Sequence, residues 1–222
     1  MVFHIINRGK AKEKLGQYEE AIIDQTKAIE LNPNDAYAYC NRGVSKNKLK
    51  RYEEAIIDLT QSIKLDPKDV DTYGYKALSE IMIGKYKDAV NDLNIAINLG
   101  AKDNATYINR GFSRMKIGLY SVAIDDFNNV IKIDANSVNA YTNRAECKLK
   151  LNQLKEAEKD VLKAISLKAD HPEAYAVYGL ILEKMNKIEL ACSNWNKAIL
   201  YKFFVPEFEK EIKYKIATQC NK

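Results

Sequence analysis

Three features of the chain predict an all-α solenoid. Residues of like size recur every 34 positions, six times and without insertion: Ala21, Ala55, Ala89, Ala123, Ala157 and Ala191 form one column, and Ile29, Ile63, Ile97, Ile131, Ile165 and Ile199 another. Within each period the apolar residues follow helical spacing and not strand alternation. Two turn signals then split each period into a pair of helices, A and B. A unit of this size cannot bury its apolar face alone, so units stack side by side and leave extended surfaces open to a partner.

The repeats run 2–35, 36–69, 70–103, 104–137, 138–171 and 172–205, and each is numbered here from position 1 to 34. Helix A carries its apolar face at positions 4, 8 and 14, as in Tyr107, Gly111 and Ile117. Position 15 holds Gly16, Gly84, Gly118, Asn152 and Asn186, residues that tolerate the left-handed conformation closing a helix; Lys50 is the exception. Helix B repeats the logic at positions 20, 24, 27 and 28, as in Ala123, Phe127, Val130 and Ile131. Small residues at positions 8 and 20 let the two helices approach closely. Pro33 and Pro67 mark the second turn, Asp35, Asp69, Asp103 and Ser137 are expected N-caps, and Pro172 suits a first helical turn. After Phe203, Phe204, Val205 and Pro206, the spacing of Phe208, Ile212 and Ile216 predicts a C-terminal helix over 206–220. It caps the last B helix by covering Trp195 and Ile199, or else serves a dimer contact.

The aromatic at position 4, Gly or Ala at 8, Gly at 15, Tyr at 17 (Tyr18, Tyr52, Tyr86, Tyr120), Ala at 20 and 27 and Pro at 32 resemble the tetratricopeptide repeat family. Departures are Leu154 and Ile188 at position 17, Ser62 and Val130 at 27 and Gln25 at 24. The resemblance covers all six repeats. It implies one right-handed superhelical array, with the A helices lining its concave side.

Position 7 is Arg8, Arg42, Lys76, Arg110 and Arg144, and position 23 is Asp24, Asp58, Asp92, Asp126 and Asp160; in repeat six both charges vanish together, as Tyr178 and Asn194. Joint presence and joint loss predict a direct pair at the edge of the apolar faces, where an isolated charge would be costly. Closure within a repeat and closure between repeats both stand. The competing reading is an anion-binding arginine row.

Positions 2, 6, 9 and 13 of helix A fall on the side opposite the buried face. Position 6 carries Asn7, Asn41, Asn109 and Asn143, whose amides can pair with the backbone of an extended peptide or simply face water. Position 13 carries Lys14, Lys48, Lys116, Lys150 and Lys184, which would favour acidic flanks on a ligand or only solvate the helix. In repeats three and four the face turns apolar through Leu78, Ile81, Met82, Ile108, Phe112 and Met115, read as a ligand contact with internal packing as the competitor. The candidate peptide-binding residues are therefore Asn7, Asn41, Leu78, Ile81, Met82, Ile108, Asn109, Phe112, Met115, Lys116, Asn143 and Lys150. The carboxylate clamp by which family members hold chaperone C-termini is disfavoured: positions 5 and 9 read Ile6 and Lys10, Cys40 and Val44, Gly74 and Leu78, and Ile108 and Phe112.

A net charge of +5 with 29% charged residues of both signs, interspersed, predicts a soluble surface without a nucleic-acid patch. The tyrosines sit mainly at packing positions, which also argues against stacked bases. Cys40, Cys147, Cys192 and Cys220 lack paired spacing, so neither a disulfide framework nor a zinc site is expected, and reduced thiols point to a cytoplasmic setting. No run reaches the ~20 apolar residues of a membrane span. An export signal or domain upstream of Met1 is left open, as is the oligomeric state. With only His4 and His171, and without H-E-x-x-H or a phosphate-binding glycine loop, no catalysis, metal or cofactor is expected. The chain reads as a non-enzymatic scaffold binding a protein or peptide in its groove. The alternative is an assembly module acting through its ends or within a longer protein.

Overall fold

The computed structural model describes residues 2–202 and 206–220. Among these there are thirteen helices and no strand, in the order α1 (Val2–Lys14), α2 (Tyr18–Leu31), α3 (Ala36–Lys48), α4 (Tyr52–Leu65), α5 (Val70–Met82), α6 (Tyr86–Asn98), α7 (Asn104–Lys116), α8 (Tyr120–Ile133), α9 (Val138–Lys150), α10 (Leu154–Leu167), α11 (Pro172–Lys184), α12 (Ile188–Leu200) and α13 (Pro206–Gln219). Odd-numbered helices up to α11 are the A helices and even-numbered ones the B helices. The chain forms two compact units, Met1–Ile117 and Gly118–Lys222. In the first, α1 packs on α2, α3 on α4 and α5 on α6, while α1, α3, α5 and α7 also touch in sequence, making a row of A helices. In the second, α9 packs on α10 and α11 on α12, and α9 touches α11.

The alanine column at position 20 is wholly buried, every member at 0% exposure. Opposite it, position 8 is small because position 24 is large. A methyl group on Gly43 would stand 2.7 Å from Leu59 Cγ, and one on Gly179 would stand 2.3 Å from the Trp195 ring. Close approach of A and B thus depends on this exchange of volume across the pair.

Helix ends follow local chemistry. Asp35 accepts from the Ala38 N–H at 3.0 Å, Asp69 from Asp71 N–H at 3.2 Å and Asp103 from Thr106 N–H at 2.9 Å. Ser137, expected to do the same, makes no side-chain cap. His171 does so unexpectedly: its Nδ1 accepts from Ala174 N–H at 3.3 Å while Nε2 lies 3.1 Å from Asn139 Oδ1. Burial lowers the His171 pKa, so the ring is neutral and can accept. At position 15 the backbone is left-handed in all six repeats, including Lys50 at φ 60°. The following N–H closes onto the last turn of helix A, as from Arg51 to the Lys46 carbonyl at 2.9 Å.

The C-terminal helix is a seventh A helix in phase, since α13 starts 34 residues after α11. Its apolar stripe, however, is Phe208, Ile212 and Ile216, with Glu209 and Lys213 where earlier repeats carry their packing residues at positions 4 and 8. It can therefore cover α12 but cannot seat another B helix. Trp195 and Ile212 are both at 0% exposure in one cluster with Ala191 and Ala198. Glu183 of α11 accepts from Lys215 Nζ at 2.8 Å and from Gln219 Nε2 at 2.7 Å. Phe203, Phe204 and Val205 lie outside the described residues.

The cysteine expectation needs correction. Cys192 of α12 and Cys220, just past α13, form a disulfide with Cα atoms 5.6 Å apart. They are 28 residues apart in sequence, and it is the docking of α13 on α12 that brings them together. The argument for a reducing setting falls with it. Cys40 and Cys147 are buried free thiols, pushed up by that burial to about 11 and about 12, and so are poor nucleophiles.

The left-handed turns generate a prediction. Lys50→Gly relieves the steric penalty of a Cβ at φ 60° and is expected to raise stability by about 0.5–1 kcal/mol, whereas Gly84→Ala, at φ 77°, is expected to lower it. Urea midpoints of the two variants measure this.

Candidate functional site

The charged pairs decide which face of helix A is left for a ligand. Arg8 meets Asp24 at 2.6 Å, Arg42 meets Asp58 at 2.7 Å, Lys76 meets Asp92 at 2.6 Å and Arg144 meets Asp160 at 2.6 Å, each within its own repeat. A second cation at position 11 joins the same carboxylate, with Lys12, Lys46 and Lys148 at 2.9, 2.9 and 2.7 Å. The guanidinium also reaches back one repeat: Arg42 donates to Thr26, Arg110 to Asn94 and Arg144 to Asn128, at 3.2, 2.8 and 2.6 Å. In repeat six Tyr178 takes the place of the arginine and donates its hydroxyl to Glu158 of repeat five at 3.3 Å. The Arg8 hydrogen bond holds the Asp24 carboxyl below its ordinary pKa. Positions 7 and 11 thus belong to packing, and the paired carboxylates leave little of an anion-binding row.

Repeat three breaks this pattern. Position 11 is Glu80 instead of a cation; its Oε1 lies 2.9 Å from Lys76 Nζ and its buried Oε2 has no partner. Burial pushes the Glu80 carboxyl up to about 7.

Position 12 also turns inward. Asn47 of α3 donates to the Tyr75 carbonyl of α5 at 3.2 Å and accepts from Ser79 Oγ at 2.7 Å. This corrects two candidates. Ile81 packs against Ala77, Ala89 and Leu93, and Met115 is 5% exposed, so both occupy packing positions. Phe112 is half-buried, edge-on to Tyr86 at 6.1 Å, with Lys116 Nζ 5.1 Å over its ring. Asn41, expected on a wet face, is 7% exposed, and its Nδ2 has no hydrogen bond. Ile108 and Asn109 are half-buried, and Asn7 and Lys116 are exposed. Leu78 at 40% and Met82 at 53% remain open on α5. Ten of the twelve candidates lie in the first unit; Asn143 and Lys150 lie on α9 in the second, half-buried and exposed respectively.

Residue types alone did not single out Tyr37 and Tyr75, which stand 44% and 39% exposed among the A helices of the first unit. Their signal was a broken column: Tyr75 interrupts the asparagines at position 6, and Tyr37 is the tyrosine among varied residues at position 2. Lys10 donates to the Tyr37 hydroxyl and lies 4.9 Å over its ring.

Paired helices on a 34-residue register, with residues of α1, α3 and α5 left exposed, define a helical-repeat protein. Three tetratricopeptide-repeat family models match the chain, over residues 9–49, 36–69 and 138–171. The chain contains tetratricopeptide repeats, and repeats of this family bind protein or peptide partners. No curated protein sequence matches it. Among solved structures it is similar to YrrB, a TPR protein with an unusual peptide-binding site, at 20% identity over 86% of this chain and 97% of that one, with a TM-score of 0.69. It is also similar to MamA, at 23% identity over 81% and 95%, TM-score 0.68. A tetratricopeptide repeat protein from Parabacteroides merdae ATCC 43184 matches at 19% identity over 99% and 84%, TM-score 0.65. At these identities the likeness shows the fold. No helix among the described residues is long and apolar enough to cross a membrane.

Glu80 predicts a pH dependence. Its native pKa of about 7 lies above the ordinary 4.5, so between those values the folded state holds the proton that the unfolded state releases, and stability falls as pH rises. Glu80→Gln removes the penalty. It is expected to stabilise the protein by about 1–3 kcal/mol at pH 8 and by far less at pH 5, which thermal melts at the two pH values measure.

Proposed function

We propose that the protein is a non-enzymatic scaffold whose A-helix face in the first unit binds a peptide segment of a protein partner. The observation that carries this reading is the exposure of Leu78 and Met82 on α5, while Ile81 and Met115 turn inward and Ile108 and Phe112 are half-buried. Apolar side chains left open between polar neighbours mark a contact surface. Asn7, Asn41 and Asn109 would pair with the backbone of the segment, while exposed Lys14, Lys48 and Lys116 would favour acids flanking it. Asn143 and Lys150 offer the same chemistry on α9. The peptide-binding site named for YrrB supports the reading by analogy of fold.

A second reading, assembly through the outer face of α1, draws on Phe3 at 71% exposure and on Arg8, whose side chain is 63% exposed against 17% for Arg42. One experiment separates the two. The double variant Leu78→Asp, Met82→Asp is expected to lose at least about tenfold in partner capture by quantitative pull-down, with its mass by light scattering unchanged. Capture retained with an altered oligomeric state contradicts the groove reading and favours the end.

A further inference from the structure

The A helices of the first unit enclose a cleft of about 380 Å³ whose chemistry differs from the lysine row beside it. Its acidic wall is Glu13 of α1, Asp66 and Asp69 of the turn before α5, and Asp71 of α5. Its aromatic wall is Tyr37 and Tyr75. Four carboxylates face one ammonium, that of Lys10.

The four carboxylates differ in their commitments. Asp69 is spent on capping α5, accepting from Asp71 N–H at 3.2 Å and Thr72 Oγ1 at 2.5 Å. Asp66 accepts from Lys68 N–H at 3.1 Å. Glu13 and Asp71 have no ion pair and no side-chain hydrogen bond among the described residues. Asn41, more than nine-tenths buried, lines the same cleft with its amide nitrogen unpartnered. A built cleft with two unspent carboxylates is short of a group that carries positive charge and donates hydrogen bonds, while the Asn41 amide nitrogen, a donor, is left for an acceptor such as the backbone carbonyl of a bound peptide segment.

Two groups inside the cleft register its field. Asp71 and Glu13 add to the burial that raises the Tyr75 phenol, and Asp69 and Asp71 add to the burial that pushes the Cys40 thiol up. Further negative charge is therefore disfavoured here. The position of Lys10, its ammonium bonded to the Tyr37 hydroxyl and over the Tyr37 ring, shows that the aromatic wall already holds a cation.

We infer that this cleft binds the cationic side chain of an arginine or lysine in the partner segment, between the Glu13 and Asp71 carboxylates and against the Tyr75 ring. The inference rests on the A-helix face being the peptide surface and adds a chemical demand to it. A segment that fits both regions carries a basic residue in the cleft and acids along Lys14 and Lys48, so a uniformly acidic or uniformly basic peptide satisfies only one.

The test uses the full chain, isotope-labelled for amide NMR, with acetyl-Gly-Gly-Arg-Gly-Gly-amide and the same peptide carrying Glu in place of Arg as probes. The arginine peptide is expected to shift the amides of Tyr37, Asn41, Asp71 and Tyr75, and to bind at least about fivefold more tightly than the glutamate peptide. Glu13→Gln with Asp71→Asn is expected to remove that preference, while Leu78→Asp with Met82→Asp leaves it within about twofold. The double amide spectrum itself reports whether each variant is folded. Equal binding of the two peptides, arginine-peptide shifts confined to other residues, or an undiminished preference in the Glu13→Gln, Asp71→Asn variant overturns the inference. Partner capture that survives such a result leaves the groove reading standing, so the two can fail separately.

Discussion

A buried carboxylate on helix B is the constraint around which the first five repeats are organised. Asp24, Asp58 and Asp160 have side chains 3%, 3% and 6% exposed, where an uncompensated charge would cost several kcal/mol. Each is met by two cations from helix A of its own repeat, one turn apart on positions 7 and 11, which fixes the rotation of A against B. The arginine's remaining donors reach the preceding repeat through Thr26, Asn94 or Asn128. One side chain therefore joins a repeat internally and to its predecessor. An inserted residue in helix A or B would rotate one partner by about 100° out of reach, which is a physical reason for a strict period.

Where the pair is absent, other devices take over. Repeat six replaces the charges with Tyr178 and Asn194, and holds its helices by seating Trp195 against Gly179 and beneath Ile212 of α13. The Cys192–Cys220 disulfide then ties the capping helix to the same B helix. Repeat three keeps the pair as Lys76 and Asp92 but spends a second acid, Glu80, at the position where a cation stands elsewhere. That repeat also exposes Leu78 and Met82 and contributes Asp71 and Tyr75 to the acidic cleft. The least regular repeat carries the most distinctive surface.

Much of this was legible in the sequence because columns report burial. The period, the alanine contacts, the left-handed turns, the three aspartate caps and the carboxylate pairs all follow from residue type at a fixed position. Inter-helix geometry was harder to read. Position 12 looks like solvent-facing surface on an isolated helix, yet Ile81 packs against Ala77, Ala89 and Leu93 and Met115 is buried, so both belong to packing. The disulfide joins residues brought together only when α13 folds back on α12, and no local spacing announces that. The cleft of Glu13, Asp71, Tyr37 and Tyr75 draws its residues from three repeats and from positions 2, 6 and 12, so no single column displays it.

The account stands on the claim that the helix A cation and the helix B carboxylate act as one unit. A double-mutant cycle on Arg42→Ala and Asp58→Ala, read by chemical denaturation, tests it most directly. We expect a coupling energy of about 2–3 kcal/mol, diminished but not abolished by high salt, because the Asp58 side chain is 3% exposed and the Arg42 side chain 17%. A coupling near zero, with the two single losses simply additive, would mean that the pair sits in the fold without organising it.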